Sequence, residues 1–177
     1  MRKRRKKPRE YLFVDGYNII NSWGKLKELN KISLEVAREE LIEIMSEYQI
    51  YSGIKIIIVF DAHLVKGNSG TVDNIKGVEI VYTKENETAD QYIEKVLDDI
   101  GRIERVRVAT SDWMEQQIIL GRGGTRISAR ELELEILDQR RIMKRKSKEE
   151  DLKGQILMGR LDEETLKKLD MWKENKE

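Results

Sequence analysis

The chain has 177 residues, which suits a single domain and is enough to enclose a hydrophobic core. It has no cysteine and one histidine, His63, so disulfide scaffolds, cysteine nucleophiles and multi-histidine zinc sites are excluded. No apolar run approaches the roughly 18 residues of a membrane span, and the basic start is not followed by a signal-peptide core. We therefore expect a cytoplasmic protein, with no membrane partner, in which any metal is held by oxygen ligands.

The net charge of +1 conceals blocks of different sign. Residues 1–9 carry seven Lys/Arg and no acid, whereas residues 10–139 carry 15 basic and 24 acidic side chains. Residues 140–148 again carry six basic side chains and no acid. Basic blocks of this kind often bind nucleic acid, although a solubilising tail has the same composition. The pattern predicts a basic arm at 1–9, a domain at 10–139 and a C-terminal helical extension at 140–177 packed on that domain.

Short apolar runs alternate with amphipathic segments along the chain. The predicted strands lie at 11–14, 54–60, 78–82, 105–109 and 125–127. The predicted helices run from 33 to 52, 88 to 100, 128 to about 148 and briefly from 162, with another beginning near 112. Residues 63–77 are predicted to form a polar loop. This alternation favours one α/β domain with a mostly parallel sheet.

Acidic residues follow the strands. Asp15 and Asp61 come directly after apolar runs, Asp112 follows the fourth strand, and Asp90 lies in the first turn of the helix after the third. Because the carboxyl ends of parallel strands meet at one edge of a sheet, we expect these carboxylates to be close together. Glu87 shares a helix face with Asp90 if that helix begins early enough.

Crowded carboxylates repel one another, and a divalent cation relieves that repulsion. The spacing therefore favours a metal-dependent phosphodiesterase. A single aspartate after a strand is more often a turn or helix cap than a ligand, and Asp61 could instead orient Asn18 or Asp15. Gly16 permits a sharp turn and a close approach to a ligand, and Asn18 could bind phosphate or position Asp15.

Four motifs together resemble the NYN family of PIN-like nucleases: FVDGYN at 13–18, VFDA at 59–62, ETAD at 87–90 and ATSD at 109–112. The stretches 60–67, 83–90 and 128–132 more closely resemble the bacterial YacP-like branch of that family. The resemblance covers about residues 10–173, and nothing at the four acidic positions departs from the pattern.

The resemblance implies a PIN-like three-layer α/β/α sandwich around a mostly parallel sheet. It also implies a divalent-metal endoribonuclease that acts on messenger RNA at the ribosome. By this resemblance Asp15, Asp90 and Asp112 would hold Mg²⁺ or Mn²⁺, with Asp61 and Asn18 arranging the site. Hydrolysis by water would leave a 5′-phosphate and a 3′-hydroxyl, and no organic cofactor is expected.

An acidic body should bind free RNA weakly, so productive binding would need the basic segments or a large partner such as the ribosome. Tyr17 could stack on a base, although core packing is the commoner role of such a residue. The candidate RNA-binding residues are Lys66, Arg122, Arg126, Arg140, Arg141, Lys144 and Arg145. Three kinds of alternative remain open: a non-catalytic RNA-binding or ribosome-binding protein, an enzyme on other phosphates such as a small-nucleotide phosphatase, and a ribosomal-RNA processing or toxin-like nuclease.

Overall fold

A computed structural model describes residues 9–62, 70–111 and 118–160, with side chains described up to residue 154. In these residues the strands are β1 Glu10–Asp15, β2 Lys55–Phe60, β3 Val72–Ile75, β4 Val78–Tyr82, β5 Arg105–Ala109 and β6 Thr125–Ile127. The helices are α1 Gly16–Ser22, α2 Gly24–Ile32, α3 Leu34–Ser52, α4 Ala89–Ile100 and α5 Ala129–Arg160, and residues 118–121 form one further helical turn. The α/β class predicted from the sequence is confirmed.

The strands form one sheet in the order β3-β4-β2-β1-β5-β6. All neighbours are parallel except β3 and β4, which form an antiparallel hairpin. The chain adds β2 and β4 on one side of β1 and then β5 and β6 on the other. The connections therefore reverse direction between β1 and β5, which is where open parallel sheets bind their ligands.

The hairpin corrects one prediction, because a strand lies within the segment 63–77 that was expected to be a loop. Lys76 and Gly77 both have positive φ angles, of 53° and 88°, which makes a two-residue turn between Ile75 and Val78. That geometry matches the right-handed twist of paired strands. All four residues of β3 are exposed, so the strand lacks the apolar run by which the other strands were found.

Alternate residues of the inner strands point to opposite faces of the sheet, as a period of two requires. Leu12 and Val14 belong to the core under α1, α2, α3 and the start of α5, whereas Phe13 belongs to the core under α4. Each face of the sheet is therefore covered by helices, and the layers are those of an α/β/α sandwich.

Helices α1 and α2 were not predicted, and Gly16 has a different role from the one expected. Gly16 is the first residue of α1, and a Cβ atom there would lie 2.2 Å from Cε1 of Phe60. A side chain at this position would overlap an aromatic ring in the core. Glycine is required here by packing against β2, which lets α1 begin directly at the end of β1.

The predicted helix starts near residues 33, 88 and 128 are confirmed, and each is capped by a side chain. Ser33 accepts a hydrogen bond from the backbone of Val36, and Thr88 forms a capping box with Gln91. Ser128 and Glu131 form a capping pair at the start of α5. That helix continues to Arg160 rather than ending near Lys148.

The chain divides into a compact unit ending at Ile136 and a second unit beginning at Leu137. The predicted final helix from 162 lies outside the described residues. No helix in the described part of the chain is long and apolar enough to cross a membrane.

Candidate metal and phosphate site

Asp15 lies at the end of β1, at the point where the strand order reverses. Its side chain caps α1, with Oδ1 accepting a hydrogen bond of 3.1 Å from the backbone N–H of Asn18. The residue is only 9% exposed. Burial, with smaller contributions from the Asp90 and Asp61 carboxylates, raises the pKa of the Asp15 carboxyl to about 7, although the hydrogen bond from Asn18 lowers it. The carboxyl therefore titrates near neutrality.

Asn18 fastens α1 to the end of β5. Its side-chain oxygen accepts a hydrogen bond of 2.8 Å from the backbone N–H of Ser111, the residue before Asp112. Ser22 adds a weaker bond of 3.4 Å to the Ser111 hydroxyl. The two sides of the strand reversal, β1 and β5, are thereby joined at their carboxyl ends. The sequence indicated Asn18 as a site residue but could not indicate Ser111, which takes part through its backbone.

Asp61 joins the end of β2 to the start of α4. Its side chain accepts a hydrogen bond from the backbone N–H of Ala89, the residue before Asp90. We considered that Asp61 could orient Asn18 or Asp15, but its hydrogen bond instead goes to the backbone of Ala89. Asp61 and Asp90 are both half-buried, and both act electrostatically on Asp15. Three of the four predicted carboxylates therefore belong to one neighbourhood.

Thr83, which is 1% exposed, connects the segments that carry Asp61 and Asp90. Its hydroxyl accepts a hydrogen bond of 3.0 Å from the backbone of Ala62 and donates one of 2.6 Å to the carbonyl of Glu87. It thus connects the segment after β2 with the segment before α4. Nothing in the sequence marks Thr83 as a site residue, since a threonine at the end of a strand has no distinguishing pattern.

Glu87 is not part of the carboxylate group. Helix α4 begins at Ala89, so Glu87 does not share a helix face with Asp90. Its carboxylate instead accepts hydrogen bonds from Lys95 and from the backbone of Lys84. The Lys95 ammonium lowers the pKa of the Glu87 carboxyl, so the charge of Glu87 is already compensated within the chain.

The donor set fits a divalent cation in its chemistry. Asp15, Asp61 and Asp90 offer carboxylate oxygens, the ligands that Mg²⁺ and Mn²⁺ prefer. Asp15 is buried beside like charges, and either a proton or a cation relieves that repulsion. Within residues 9–62, 70–111 and 118–160, no three acidic or histidine side chains are close enough to hold a metal ion. The third predicted ligand, Asp112, lies outside these residues.

The predicted RNA-binding residues are dispersed. Arg122 was expected near the carboxyl edge of the sheet, but it pairs with Glu94 and Asp98 on α4. Arg122 also lines a groove beside α4 together with Glu87 and Lys95. Its contact with RNA stays a prediction.

The remaining basic candidates differ in how they are held. Arg126 is exposed on β6 and pairs with Glu131 at 3.2 Å. Arg141, Lys144 and Arg145 are exposed on α5 in the second unit, where Arg140 is half-buried. Lys66 lies outside the described residues. Tyr17 is 7% exposed and packs against Phe60, so it belongs to the core rather than to a base-stacking surface.

The comparisons with known proteins agree with this architecture. The family model described as YacP-like NYN domain matches residues 12–174, and the chain belongs to that family. YacP-like NYN domains are a family of PIN-like nucleases, whose members usually use divalent metals.

A curated relative is the uncharacterized protein YacP of Bacillus subtilis (strain 168). It is 47% identical over 169 residues, which cover 93% of this chain and 96% of the relative. The crystal structure of Rae1 (YacP) from Bacillus subtilis matches with a TM-score of 0.68 and 44% identity, over 93% of this chain and 95% of that one. The crystal structure of a mutant form of the same Bacillus protein matches with a TM-score of 0.69 and 44% identity, over 79% of this chain and 82% of its own.

Proposed function

We propose that the protein is a divalent-metal-dependent endoribonuclease that cleaves messenger RNA on the translating ribosome. The observation that carries the catalytic part is the buried carboxyl of Asp15, whose pKa is raised to about 7 by burial and by Asp90 and Asp61. A perturbed carboxyl at the ligand-binding edge of a parallel sheet is typical of a catalytic site. Membership in a nuclease family supports RNA or DNA phosphodiesters as the substrate class.

In this proposal Asp15, Asp90 and Asp112 hold Mg²⁺ or Mn²⁺. The cation, when bound, offsets negative charge and lowers the pKa of water for attack on phosphorus. Asp61 keeps the start of α4 against the end of β2 and so positions Asp90. Asn18 uses its carbonyl oxygen to hold Ser111, which leaves its amide nitrogen to donate to a phosphate oxygen.

The ribosomal part of the proposal rests on charge. The segment 10–139 carries nine more acidic than basic side chains, so it repels a polyanion. Phosphate neutralisation supplies most non-specific affinity for nucleic acid, and such a body gains little of it. The exposed basic residues of α5, Arg141, Lys144 and Arg145, supply a separate positive surface suited to ribosomal RNA.

A reconstituted translation reaction containing Mg²⁺ tests both parts. The protein is compared with Asp15→Asn on translated and untranslated copies of one messenger RNA. We expect cuts only in the translated copy and only with the unaltered protein, with 5′-phosphate and 3′-hydroxyl ends. The exposed α4 variant Asp99→Asn is the matched control and should cut normally.

Each other outcome removes a defined part of the proposal. Equal cutting of untranslated RNA would remove the dependence on the ribosome and leave the chemistry. Ends bearing a 2′,3′-cyclic phosphate would contradict hydrolysis by water. Ribosome binding without any cutting would favour a non-catalytic binding protein instead.

A further inference from the structure

The described part of the first unit contains three half-buried arginines, Arg38, Arg107 and Arg122. Removing a guanidinium from water is costly unless an anion or several hydrogen-bond acceptors replace the water. Two of the three follow that rule. Arg107 makes two hydrogen bonds to the carboxylate of Glu135, and Arg122 pairs with two acidic side chains of α4.

Arg38 is the exception. Its hydrogen bond goes to the hydroxyl of Tyr17, at 3.3 Å from Nη1. Among the residues that the structure describes, no carboxylate lies within ion-pairing distance of Arg38. The remaining N–H groups of a planar guanidinium are the donors that best match a phosphate.

The position of Arg38 relates it to the carboxylate site. Helix α3 leads from the carboxyl edge of the sheet back to the start of β2, so its first turns, which include Arg38, lie toward the site edge. Tyr17 follows Asp15 by two residues, and its ring packs on Phe60, the residue before Asp61, with centroids 5.1 Å apart. Arg38 and Asp61 act in opposite directions on the pKa of the Tyr17 hydroxyl, which burial chiefly raises. One hydroxyl therefore lies within electrostatic reach of both groups.

We propose that Arg38, held by the Tyr17 hydroxyl, binds a phosphate of the RNA strand next to the bond that is cleaved. This inference rests on the proposed function. A strand that enters an acidic site needs a compensating cation, and Arg38 is a guanidinium near this edge that makes no ion pair with a carboxylate of the described residues. Tyr17 limits the rotation of the long side chain, so less conformational entropy is lost when phosphate binds.

Equilibrium binding of a labelled single-stranded oligoribonucleotide tests the inference without cleavage, starting at low KCl and at protein concentrations high enough to measure the weak affinity expected of the acidic first unit. All proteins carry Asp15→Asn, and affinity is measured over a range of KCl concentrations. We expect Arg38→Gln to bind about tenfold more weakly and to reduce the slope of log affinity against log salt by about 0.7, the value for one phosphate contact with a single strand. The matched control is Arg102→Gln, an exposed arginine in the turn after α4, which should change neither quantity.

Two further variants separate binding from folding. Arg38→Lys keeps the positive charge but loses the paired N–H donors of the guanidinium. It should therefore keep the slope of log affinity against log salt and bind with intermediate affinity. Tyr17→Phe removes only the hydroxyl and should weaken binding less than Arg38→Gln does. If Arg38→Gln lowers the melting temperature substantially, these two milder variants decide the question.

Parent-like affinity and salt slope in folded Arg38→Gln would overturn the inference, as would the absence of RNA binding by the parent. The cleavage assay on the otherwise native protein is scored separately. Cleavage together with parent-like binding of Arg38→Gln would remove the phosphate contact and keep the nuclease. If the protein does not cleave RNA but Arg38→Gln weakens binding, the phosphate contact is kept and the nuclease activity is removed.

Discussion

Two carboxyl groups of the first unit, Asp15 and Glu135, respond to their surroundings in opposite ways. Burial and neighbouring carboxylates raise the pKa of Asp15 to about 7. Glu135 has a lowered pKa, chiefly because Arg107 donates hydrogen bonds to it, with Tyr48 adding another. The fold thus places a cation beside Glu135 and further carboxylates beside Asp15.

The difference distinguishes a structural group from a functional one. Glu135 ties α5 to β5 and to α3, so its charge is already compensated within the folded chain. Asp15 is not compensated by any cation of the described chain, and its position at the strand reversal is where ligands enter such sheets. A buried acid that destabilises the folded state at neutral pH is expected where a ligand supplies the missing charge.

The largest expected effect concerns the stability of the metal-free protein after Asp15→Asn. Because the folded state raises this pKa from 3.8 to about 7, the folded state loses stability as the pH rises between those values. In the neutral variant that loss is absent. Urea denaturation in EDTA at pH 8 should therefore find Asp15→Asn more stable than the unaltered protein by on the order of 4 kcal/mol.

The pH and metal dependence provide the internal controls for that measurement. At pH 5 the advantage of Asp15→Asn should be smaller, and saturating Mg²⁺ should stabilise only the unaltered protein, by mass action. Asp99→Asn, on the exposed face of α4, should show neither trend. An advantage that is the same at pH 5 and pH 8 would mean that Asp15 is not the perturbed group.

The next largest effect is expected from Gly16→Ala, which disturbs the packing of α1 next to Asp15. In Gly16→Ala the new Cβ would overlap the Phe60 ring at 2.2 Å, so either α1 or the ring must move. We expect a loss of roughly 2–3 kcal/mol in the free energy of unfolding, together with reduced cleavage, because Asp15 caps the same helix.

The control for Gly16→Ala is Gly24→Ala. Gly24 is the first residue of α2, and a Cβ there meets nothing within 4 Å. Alanine is the better helix former, so this variant should be neutral or slightly stabilising, by less than about 1 kcal/mol. Equal destabilisation by both variants would show that helix propensity, and not the Phe60 contact, sets the cost.

The sequence predicted most of the sheet because buried strands consist of short runs of apolar residues. The ends of these runs located Asp15 and Asp61, and the predicted start of the helix after the third strand located Asp90. The hairpin strand β3 was missed because its exposed residues carry no such run. Helices α1 and α2 were missed because the Asp15-Gly16 pair has the pattern of a turn, while its actual constraint is a contact with Phe60, 44 positions later.

The site was predictable only where a residue type implies chemistry. Carboxylates at strand ends carry that information, but Arg38 and Thr83 do not. Arg38 is distinguished because it makes no ion pair with any carboxylate of the described residues, and Thr83 by hydrogen bonds to two separate loops. Both are properties of the assembled fold. The ion pairs of Arg122 with Glu94 and Asp98 could not be predicted for the same reason, since they depend on where α4 lies.

The smallest expected effect concerns Glu135, the carboxylate whose charge Arg107 compensates. The side chains of Arg107 and Glu135 are 28% and 34% exposed, so water screens their attraction. Glu135→Gln should therefore lower the free energy of unfolding by only about 1 kcal/mol at pH 7. Cleavage should be unchanged, since Glu135 lies on α5 and makes its bonds to Arg107 and Tyr48 rather than to the site.

The pH trend of this variant should be opposite to that of Asp15→Asn. A lowered pKa contributes stability above the ordinary value of 4.5 that is lost as the pH falls through the lower, folded-state value. The disadvantage of Glu135→Gln should thus be present at pH 7 and disappear in acid, whereas Glu133→Gln, two residues earlier on α5, should show no such trend. If Glu135→Gln and Asp15→Asn changed stability with pH in the same direction, the contrast between a compensated and an uncompensated carboxylate would be wrong.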